Sequence, residues 1–404
     1  MLPGPCVAHG CRASWWTPCE GGCDTCLVVR QSRIRGTWLG VLMRRCRGFR
    51  TGFVVHSSNF DGCSLMEADP IVTYLFRRQA SKGYSVETVF NTVRQALPAT
   101  IRHQVAVLPA ASDGWNGRLR NVGASSSIDS DVIHMTGDAQ YTVLGVRSAK
   151  TVLTIHDCNA LVRSKGLRHA VIKWLYYRWP VAKSDMVTTV SQFTKQQLLQ
   201  FVHCKQEKIT VIPNPVRSDI KFAPRQGMPL KPTFLQVGTG WNKNLERVTE
   251  ALSGIPCRLI VIGDISYSQR ALLYKHRIDF VGARAFSNAE LLLAYAECDA
   301  VIFASLYEGF GLPIVEANAA GKPVIAGNNT SQPEVANGAA HLIDAASIDA
   351  IRGGVAQLIR DGDLRAALID AGRQNAKRYS ATVVAHAYAE IYASLLKTRS
   401  DACN

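Results

Sequence analysis

The sequence predicts an α/β protein with two parallel-sheet domains, each of which carries helices on both faces of its sheet. Short apolar runs alternate with helical patterns, the runs fall into two series, and a proline-rich segment divides the chain. The chain has 404 residues, of which 47% are hydrophobic. This length is enough for about two to three domains with sizeable cores.

The first series of apolar runs starts at residue 71, and its members have the length and composition of buried strands. A helical pattern follows the first run over residues 85–93, where apolar side chains recur at positions 86, 89, 90 and 93. The predicted strands of this series are residues 71–76, 104–108, 132–135, 152–155 and 186–190.

The second series of apolar runs follows the first along the chain, and its runs beyond residue 229 predict a second sheet. The predicted strands of this second series are residues 209–212, 233–237, 258–262, 300–303 and 323–326. The proline-rich segment 214–229 is the predicted linker. We therefore expect an N-terminal domain over residues 70–215, a C-terminal domain over residues 216–378, and a final helix over residues 379–404.

Residues 1–69 differ in composition from the rest of the chain. They are rich in Cys, Arg, Gly and Trp, and they show neither the period of a strand nor that of a helix. We expect a poorly ordered extension. Two alternatives are an over-long gene start, with Met66 as the true first residue, and a genuine basic tail that contains Arg44, Arg45, Arg47 and Arg50.

Six side chains in this extension are of types that bind zinc. They are Cys6, His9, Cys11, Cys19, Cys23 and Cys26. A structural zinc site usually has two clean ligand pairs separated by about a dozen residues or more. The spacing here lacks that arrangement, so a poorly ordered extension is favoured over a zinc site.

The charge balance indicates an anionic partner. Lys and Arg number 46 and Asp and Glu number 31, which gives a net charge of +15. Such a surplus favours a phosphorylated ligand, a membrane surface or a nucleic acid. The basic residues are dispersed and no recognised nucleic-acid motif occurs, so we expect no nucleic-acid partner.

Three features of the sequence predict a cytoplasmic protein. No apolar run reaches the roughly 18 residues that a membrane span needs. The N-terminus lacks the charged and apolar regions of a signal peptide. The cysteines beyond position 70 are scattered without a pairing rhythm, as in a reducing compartment.

The most informative segment follows the predicted strand 300–303. A glycine-rich turn runs from Glu308 to Gly311, and a helix begins at Leu312 with proline in its first turn. Free backbone N–H groups and the helix dipole at such a start form a site for an anion. Carboxylates at Glu308 and Glu316 can accept hydrogen bonds from a vicinal diol, so the segment indicates a sugar-nucleotide site.

This segment, with seven residues between its two glutamates, resembles the E-x7-E signature of the retaining GT-B glycosyltransferases of family 4, also called glycosyl transferases group 1. Residues 238–246 resemble the donor-phosphate loop of that family, and residues 187–194 and 211–215 resemble its inter-domain landmarks. The resemblance spans about residues 71–400. It implies two Rossmann-like domains that face a cleft, with an N-terminal acceptor domain, a C-terminal donor domain and a last helix that crosses back.

The resemblance also implies roles for individual residues. Glu316 matches the residue that binds the nucleotide ribose, Glu308 the one near the transferred sugar, and Lys243 the one that neutralises the diphosphate. Other donor contacts are expected at Gly238, Thr239, Gly240, Gly309, Phe310, Gly311 and Leu312. The family usually has an arginine where this chain has Thr239, so backbone N–H groups of the loop are expected to compensate.

Histidines lie at the carboxyl ends of two predicted strands of the first domain, His134 within strand 132–135 and His156 directly after strand 152–155. By the resemblance, His156 points at the donor sugar, and we group it with Glu308 and Lys243 as the catalytic residues. His134 and Asp138 are expected on the acceptor side, because open α/β sheets bind ligands at the carboxyl ends of their strands. A structural role is the alternative for both histidines.

The implied reaction moves a sugar from a nucleotide-diphosphate sugar to a glycan or lipid-linked acceptor, with retention, in surface polysaccharide biosynthesis. We expect no metal, and no cofactor beyond the donor substrate. The alternatives are a sugar-nucleotide 2-epimerase of the same fold and a non-catalytic basic surface-binding paralogue. Residues 280–284 are expected to form a loop near the donor base.

Residues 163–180 form a basic, aromatic, helical segment. An apolar stripe of Leu167, Val171, Trp174 and Leu175 lies near Arg168, Lys173 and Arg178. Such a helix can lie on an anionic membrane, which here would be the cytoplasmic face of the inner membrane. The alternative is that the stripe packs inward on the sheet.

Overall fold

The computed structural model describes residues 27–34, 37–44, 70–78, 86–112, 114–283 and 287–400. It divides into two units, Met1–Glu67 and Ala68–Asn404. In the first unit, β1 (Leu27–Ile34) pairs antiparallel with β2 (Thr37–Arg44). The sequence analysis did not predict this hairpin, since its strands lack the strict alternation that marks a half-buried strand. The candidate zinc ligands and the arginines beyond position 44 lie outside the described residues.

The first half of the larger unit contains a parallel sheet of six strands in the order β4-β3-β5-β6-β7-β8. The strands are β3 (Ile71–Phe76), β4 (Arg102–Val107), β5 (Val132–Met135), β6 (Lys150–Ile155), β7 (Met186–Thr189) and β8 (Ile209–Val211). The run at 209–212 lies before the predicted boundary at residue 215, and it pairs with β7 as the last strand of this sheet.

The second half contains another six-stranded parallel sheet, in the order β11-β10-β9-β12-β13-β14. The strands are β9 (Thr233–Val237), β10 (Arg258–Ile262), β11 (Asp279–Ala283), β12 (Ala300–Phe303), β13 (Val324–Gly327) and β14 (His341–Ile343). This is the strand order of the Rossmann fold. The larger unit therefore has the predicted two-domain α/β architecture.

Helices cover the sheets on both faces. In the first half they are α1 (Val86–Gln95), α2 (Trp115–Ser125), α3 (Asn159–Arg163), α4 (Gly166–Ile172), α5 (Trp179–Lys183) and α6 (Gln192–Phe201), with a π-helical turn (Lys173–Arg178) between α4 and α5. The rest are α7 (Leu245–Leu252), α8 (Tyr267–Lys275), α9 (Asn288–Glu297), α10 (Leu312–Ala320), α11 (Gln332–Ala336), α12 (Ile348–Arg360), α13 (Gly362–Arg378) and α14 (Ala381–Ser400). Across the described part of the chain, every helix is too short or too polar to cross a bilayer.

The two edge strands of the second sheet, β11 and β14, were not predicted. Each is short, and β11 includes an aspartate and a glycine, which occur rarely inside strands. Residues 280–283, expected to form a loop near the donor base, lie instead in β11, which pairs with β10 along its length. Residues 284–286 lie outside the described residues.

In both sheets the strand order reverses next to the first strand. In the second sheet the reversal lies between β9 and β12, which are neighbours although they are far apart in sequence. In the first sheet it lies between β3 and β5. Ligands bind in the crevice at the carboxyl ends of the strands at such a switch point. The loops that follow these four strands are therefore where a site is expected.

The last helix, α14, begins after the second half and packs on the first. Its Tyr392 hydroxyl hydrogen-bonds with His134 Nδ1 at 2.7 Å and donates to the Tyr74 hydroxyl at 2.9 Å. The other ring nitrogen of His134 hydrogen-bonds with Thr154 Oγ1 at 2.7 Å. His134 is completely buried, and burial lowers the pKa of its imidazole to about 3. The expectation that His134 lines the acceptor side is therefore not met, because both of its ring nitrogens are hydrogen-bonded to side chains in the core.

We expect Tyr392→Phe to lower the free energy of unfolding by about 1–3 kcal/mol, because the substitution leaves His134 Nδ1 and the Tyr74 hydroxyl without their buried partner. Urea denaturation measures this difference. Tyr267→Phe is the matched control, since the Tyr267 side chain is 91% exposed. Equal stability of the two variants would contradict the role assigned to the buried hydroxyl.

Candidate active site

The loop after β9 holds a lysine at the switch point of the second sheet. Gly238 has a φ of 93°, and a Cβ atom at this position would lie 2.7 Å from Lys243 Cγ. The loop therefore needs glycine there, both for its backbone conformation and for the close approach of the lysine side chain. The Lys243 ammonium lies 4.9 Å from the centre of the Phe303 ring, at the end of β12.

Lys243 and Glu308 come together across the switch point. Lys243 Nζ donates to Glu308 Oε1 at 2.5 Å, and Asn242 Nδ2 donates to the same oxygen at 3.2 Å. Asn242 also donates to the carbonyl of Tyr307 at 2.9 Å. Hydrogen bonds thus join the loops that follow β9 and β12. Lys243 and Glu308, which were both predicted as site residues, are in direct contact.

The loop from 309 to 312 contributes mainly backbone groups. The Gly309 carbonyl accepts hydrogen bonds from Ser191 Oγ at 2.6 Å and Thr194 Oγ1 at 3.0 Å. The Phe310 ring is buried and packs edge-on against Tyr379 at 5.5 Å, so its side chain belongs to the core of the second half. Gly311 precedes the first helical residue of α10, Leu312, which is partly buried.

Glu316 lies one turn inside α10 and is almost completely buried. The Tyr295 hydroxyl donates to its Oε2 at 2.7 Å. Burial raises the pKa of the Glu316 carboxyl, while the hydrogen bond from Tyr295 and the positive charge of Arg217 act in the opposite direction. The carboxylate is therefore held in a fixed orientation, as a residue that reads a diol must be.

Thr239, which stands where the family usually has arginine, has its hydroxyl engaged elsewhere. Its Oγ1 donates to the carbonyl of Asp264 at 2.8 Å, and its own carbonyl accepts from Gln269 Nε2 at 2.8 Å. These bonds join the loop after β9 to the segment after β10. The neighbouring Gly240 is exposed. Among the described residues, no group of three His, Cys, Asp or Glu side chains is placed to hold a metal ion.

The loop after β12 lies directly on the first half. A Cβ atom at Gly309 would lie 2.0 Å from the carbonyl oxygen of His156 and 2.8 Å from Asp157 Cβ. The Tyr307 hydroxyl accepts from the amide of Cys158 at 3.2 Å and donates to Gln197 Oε1. The two halves therefore meet at the carboxyl end of β6, beside Lys243 and Glu308.

A second contact between the halves lies at the start of α6. The Glu334 carboxylate accepts hydrogen bonds from the amides of Gln192 at 2.7 Å and Phe193 at 3.2 Å. A carboxylate at the N-terminus of a helix is stabilised by the free N–H groups and the helix dipole. This contact is made across the halves, so the capping group comes from a distant part of the chain.

The first half presents His156 and Asp138 at the carboxyl ends of β6 and β5. His156 Nε2 hydrogen-bonds with the carbonyl of Thr136 at 2.7 Å, and Asp138 accepts from Arg77 Nη1 at 2.6 Å. Arg77 also pairs with Glu87 at 3.0 Å. Asp138 thus lies at the switch point of the first sheet, where the predicted acceptor side should be, whereas His134 lies in the core.

The basic helical segment 163–180 keeps part of its apolar stripe in solvent. Leu167 is 83% exposed, and Val171 and Trp174 are about half exposed. Leu175 instead packs against the core of the first half. The alternative in which the whole stripe packs inward therefore does not hold.

Several residues of the site were missed by the sequence analysis. Asn242 lies inside the segment that was identified as a phosphate loop, and its amide joins the two loops. Ser191 and Thr194 lie inside a segment that was identified only as a landmark. Their position was visible in the sequence, but their common partner, the Gly309 carbonyl, is more than a hundred residues away.

Comparison with known proteins identifies the family. Residues 225–375 match the family Glycosyl transferases group 1, and residues 71–219 match Glycosyltransferase Family 4. The chain belongs to the group 1 glycosyltransferases of the GT-B fold. The two matches cover both sheets, so the predicted family is confirmed.

Relatives of this glycosyltransferase include two bacterial mannosyltransferases. It is 26% identical over 263 residues to the O-antigen chain mannosyltransferase B of Escherichia coli, in an alignment that covers 58% of this chain and 68% of that protein. It is 29% identical over 187 residues to the O-antigen chain mannosyltransferase RfbU of Salmonella typhimurium, covering 43% of this chain and 50% of that protein. The chain thus spans only half of the second relative.

A solved structure shares the fold. The Anabaena protein HepE, crystallised with UDP and glucose, has a TM-score of 0.61 and 17% identity to this glycosyltransferase. The match covers 80% of this chain and 100% of that chain. At this identity the likeness is one of fold.

We expect Gly309→Ala to separate the two halves without unfolding either of them, because the added Cβ has no room against the His156 carbonyl. Hydrogen–deuterium exchange should then be faster at the amides of Cys158, Gln192 and Phe193, which donate to the second half. Gly353→Ala is the control, since a Cβ at that position of α12 has no atom within 4 Å. Unchanged protection in Gly309→Ala would contradict this interpretation.

Proposed function

We propose that the protein transfers a sugar from a nucleotide-diphosphate sugar to a glycan or lipid-linked acceptor, with retention of the anomeric configuration. The observation that carries this proposal is the 2.5 Å pair of Lys243 and Glu308 at the switch point of the second sheet, beside the contact with the first half. A cation for a diphosphate and a carboxylate for a sugar are thus held together.

The proposed chemistry follows from this arrangement. The bond between the sugar C1 and the β-phosphate oxygen breaks, and its electrons move onto the diphosphate. Lys243 and the start of α10 stabilise this growing charge. The acceptor hydroxyl attacks from the same face and gives its proton to the leaving phosphate, so no protein nucleophile and no metal is needed. Glu308 then orients the sugar, and His156 lies on the opposite side of the cleft.

The acceptor is proposed to bind in the first half. The crevice between β3 and β5 presents Asp138 and Arg77, and the loop after β6 presents His156. Hydroxyl-rich ligands are bound by such carboxylate and guanidinium groups. The names of the O-antigen mannosyltransferases support a surface polysaccharide or its lipid-linked precursor as the product, and mannose as the first sugar to test.

We expect a nucleotide-diphosphate sugar to raise the melting temperature of the protein, with no effect of EDTA. A ligand at 100 times its dissociation constant stabilises the folded state by about 2.7 kcal/mol, so a shift assay with UDP, GDP, ADP and their sugars detects the donor. Glu316→Gln should reduce this shift, because the ribose diol loses a charged acceptor. Glu297→Gln is the control, since Glu297 is an exposed residue at the end of α9.

The outcomes of the donor assay separate the candidate reactions. A donor that is consumed only with an acceptor, and whose product keeps the anomer of the donor, supports the retaining transferase. Conversion of the free sugar nucleotide into its 2-epimer would instead support the epimerase alternative and contradict the transferase. The absence of a shift with every nucleotide would overturn the proposal.

We also propose that the first half rests on an anionic membrane, at the cytoplasmic face of the inner membrane. Exposed apolar side chains lie on α2 and on the segment from α4 to α5. This aromatic patch consists of Trp115, Leu119, Leu167, Val171, Trp174 and Trp179.

Arginines are interleaved with the aromatic patch. Arg118 lies 5.5 Å from the Trp115 ring and donates to the Tyr176 hydroxyl at 2.9 Å, which joins α2 to the π-helical turn. Arg178 lies 4.4 Å from the Trp174 ring, and Trp174 lies 5.8 Å from Trp179. Tryptophan and basic residues on one face are typical of a surface that lies at the level of lipid headgroups.

We expect the double variant Trp174→Ala, Trp179→Ala to bind vesicles of phosphatidylglycerol and phosphatidylcholine at least about tenfold more weakly than the native protein, because two interfacial aromatic anchors are lost. Co-sedimentation measures the difference. The control is Leu230→Ala with Tyr267→Ala, two apolar residues that are exposed outside the patch. Equal binding by the native protein and the patch variant would contradict the proposed surface.

A further inference from the structure

An arginine of the first half lies over the donor-phosphate loop of the second half. Arg163 is the last residue of α3, the short helix that follows the loop after β6. Its guanidinium carbon lies 4.9 Å from the centre of the Trp241 ring. Trp241 stands between Gly240 and Asn242 in the loop that also holds Lys243, so this pair brings a cation of one half to the phosphate loop of the other.

The charge of the loop itself is already balanced. Lys243 is paired with Glu308 at 2.5 Å, and position 239, between the two glycines, is a threonine whose hydroxyl donates to a protein carbonyl. A nucleotide-diphosphate sugar carries a negative charge on each phosphate. A further cation near this loop therefore favours its binding beside the Glu308 carboxylate.

Arg163 has the properties that such a cation needs. Its side chain is exposed, and no carboxylate of a described residue forms an ion pair with it. The guanidinium carbon lies 4.9 Å from the centre of the Trp241 ring, and the N–H groups that do not face the ring are available to donate. A guanidinium binds phosphate oxygens with two parallel hydrogen bonds, which a lysine cannot do.

We infer that Arg163 binds the diphosphate of the donor, held in place by Trp241, and that the acceptor half thereby supplies part of the donor site. This inference rests on the proposed function, since it requires a nucleotide-diphosphate ligand. It explains how the site can bind a diphosphate although position 239 is a threonine and not the arginine that is usual in the family. It also ties donor binding to the closed arrangement of the halves, because α3 and the phosphate loop meet only when the halves are together.

The test is to measure the dissociation constants of UDP, GDP, UMP and GMP by titration calorimetry for the full chain and its variants. We expect Arg163→Ala to weaken binding of the preferred diphosphate by about 10- to 100-fold, because a charge-assisted pair is lost. Binding of the matching monophosphate should weaken by less than about threefold. Arg163→Lys should bind with intermediate affinity, since it keeps the charge and loses the paired hydrogen bonds.

Two further variants separate direct contact from a clasp between the halves. If Arg163 acts only by closing the cleft through Trp241, Trp241→Ala weakens binding of the diphosphate as much as Arg163→Ala does. Both variants then weaken binding of the monophosphate to the same extent as binding of the diphosphate. That outcome overturns the inference. Direct contact predicts a smaller loss for Trp241→Ala. Arg147→Ala is the control, because Arg147 is an exposed arginine of the same half.

The same titrations keep the inference distinct from the proposed function. If the native protein binds no nucleotide, the proposed function fails and the inference fails with it. If the native protein binds a diphosphate and Arg163→Ala binds it with unchanged affinity, the inference alone is overturned. Circular dichroism of each variant shows that a loss of binding does not come from unfolding.

Discussion

The contact between Gly309 and the carbonyl of His156 is the constraint on which the rest of the site depends. Without a side chain at position 309, the loop after β12 lies flat on the loop after β6, and Ser191 and Thr194 hold its carbonyl in place. Any larger residue would hold the halves apart. Gly309 is therefore needed for the contact between the two domains as much as for the turn before α10.

The pair of Lys243 and Glu308 lies beside this contact between the halves. Both side chains are mostly buried, so their attraction is screened less by solvent than that of a surface pair. A charged ligand that enters must share the lysine with the glutamate, and the polar atoms freed by that exchange need new partners. Sugar hydroxyls and phosphate oxygens are such partners. The pair thus keeps the site ordered while it is empty of substrate.

Much of the fold could be predicted from the sequence, because buried parallel strands are short apolar runs. β3, β5, β9, β10 and β12 begin and end where the pattern predicts. The edge strands β11 and β14 were not predicted, because β11 includes an aspartate and a glycine and β14 has only three residues. Likewise, E-x7-E and the glycine-rich loop indicated the candidate donor site, since a phosphate loop needs glycines and a cation at fixed spacing.

What could not be predicted depends on partners that are distant in sequence. His134 ends a strand as a ligand-binding residue would, but its role is decided by Tyr392 on the last helix. Phe310 lies inside the signature, but its ring turns into the core against Tyr379. Arg163 lies in a segment that was interpreted as a membrane-surface helix or as a helix packed on the sheet. A sequence pattern shows the spacing of residues along the chain. It does not show which distant residues will contact them in the fold.

The two chain crossings between the halves show how the site can open. After β8 the chain enters the second half near Val216, and it returns to the first half after Tyr379; the Val216 amide donates to the Tyr379 carbonyl at 2.7 Å. Because the crossings are hydrogen-bonded to each other, a rotation of the halves must pivot there. In the proposed reaction, opening breaks the contacts of Gly309, Glu334 and Arg163. The binding energy of the substrate would then re-form them and close the cleft, which excludes water from the reacting centre.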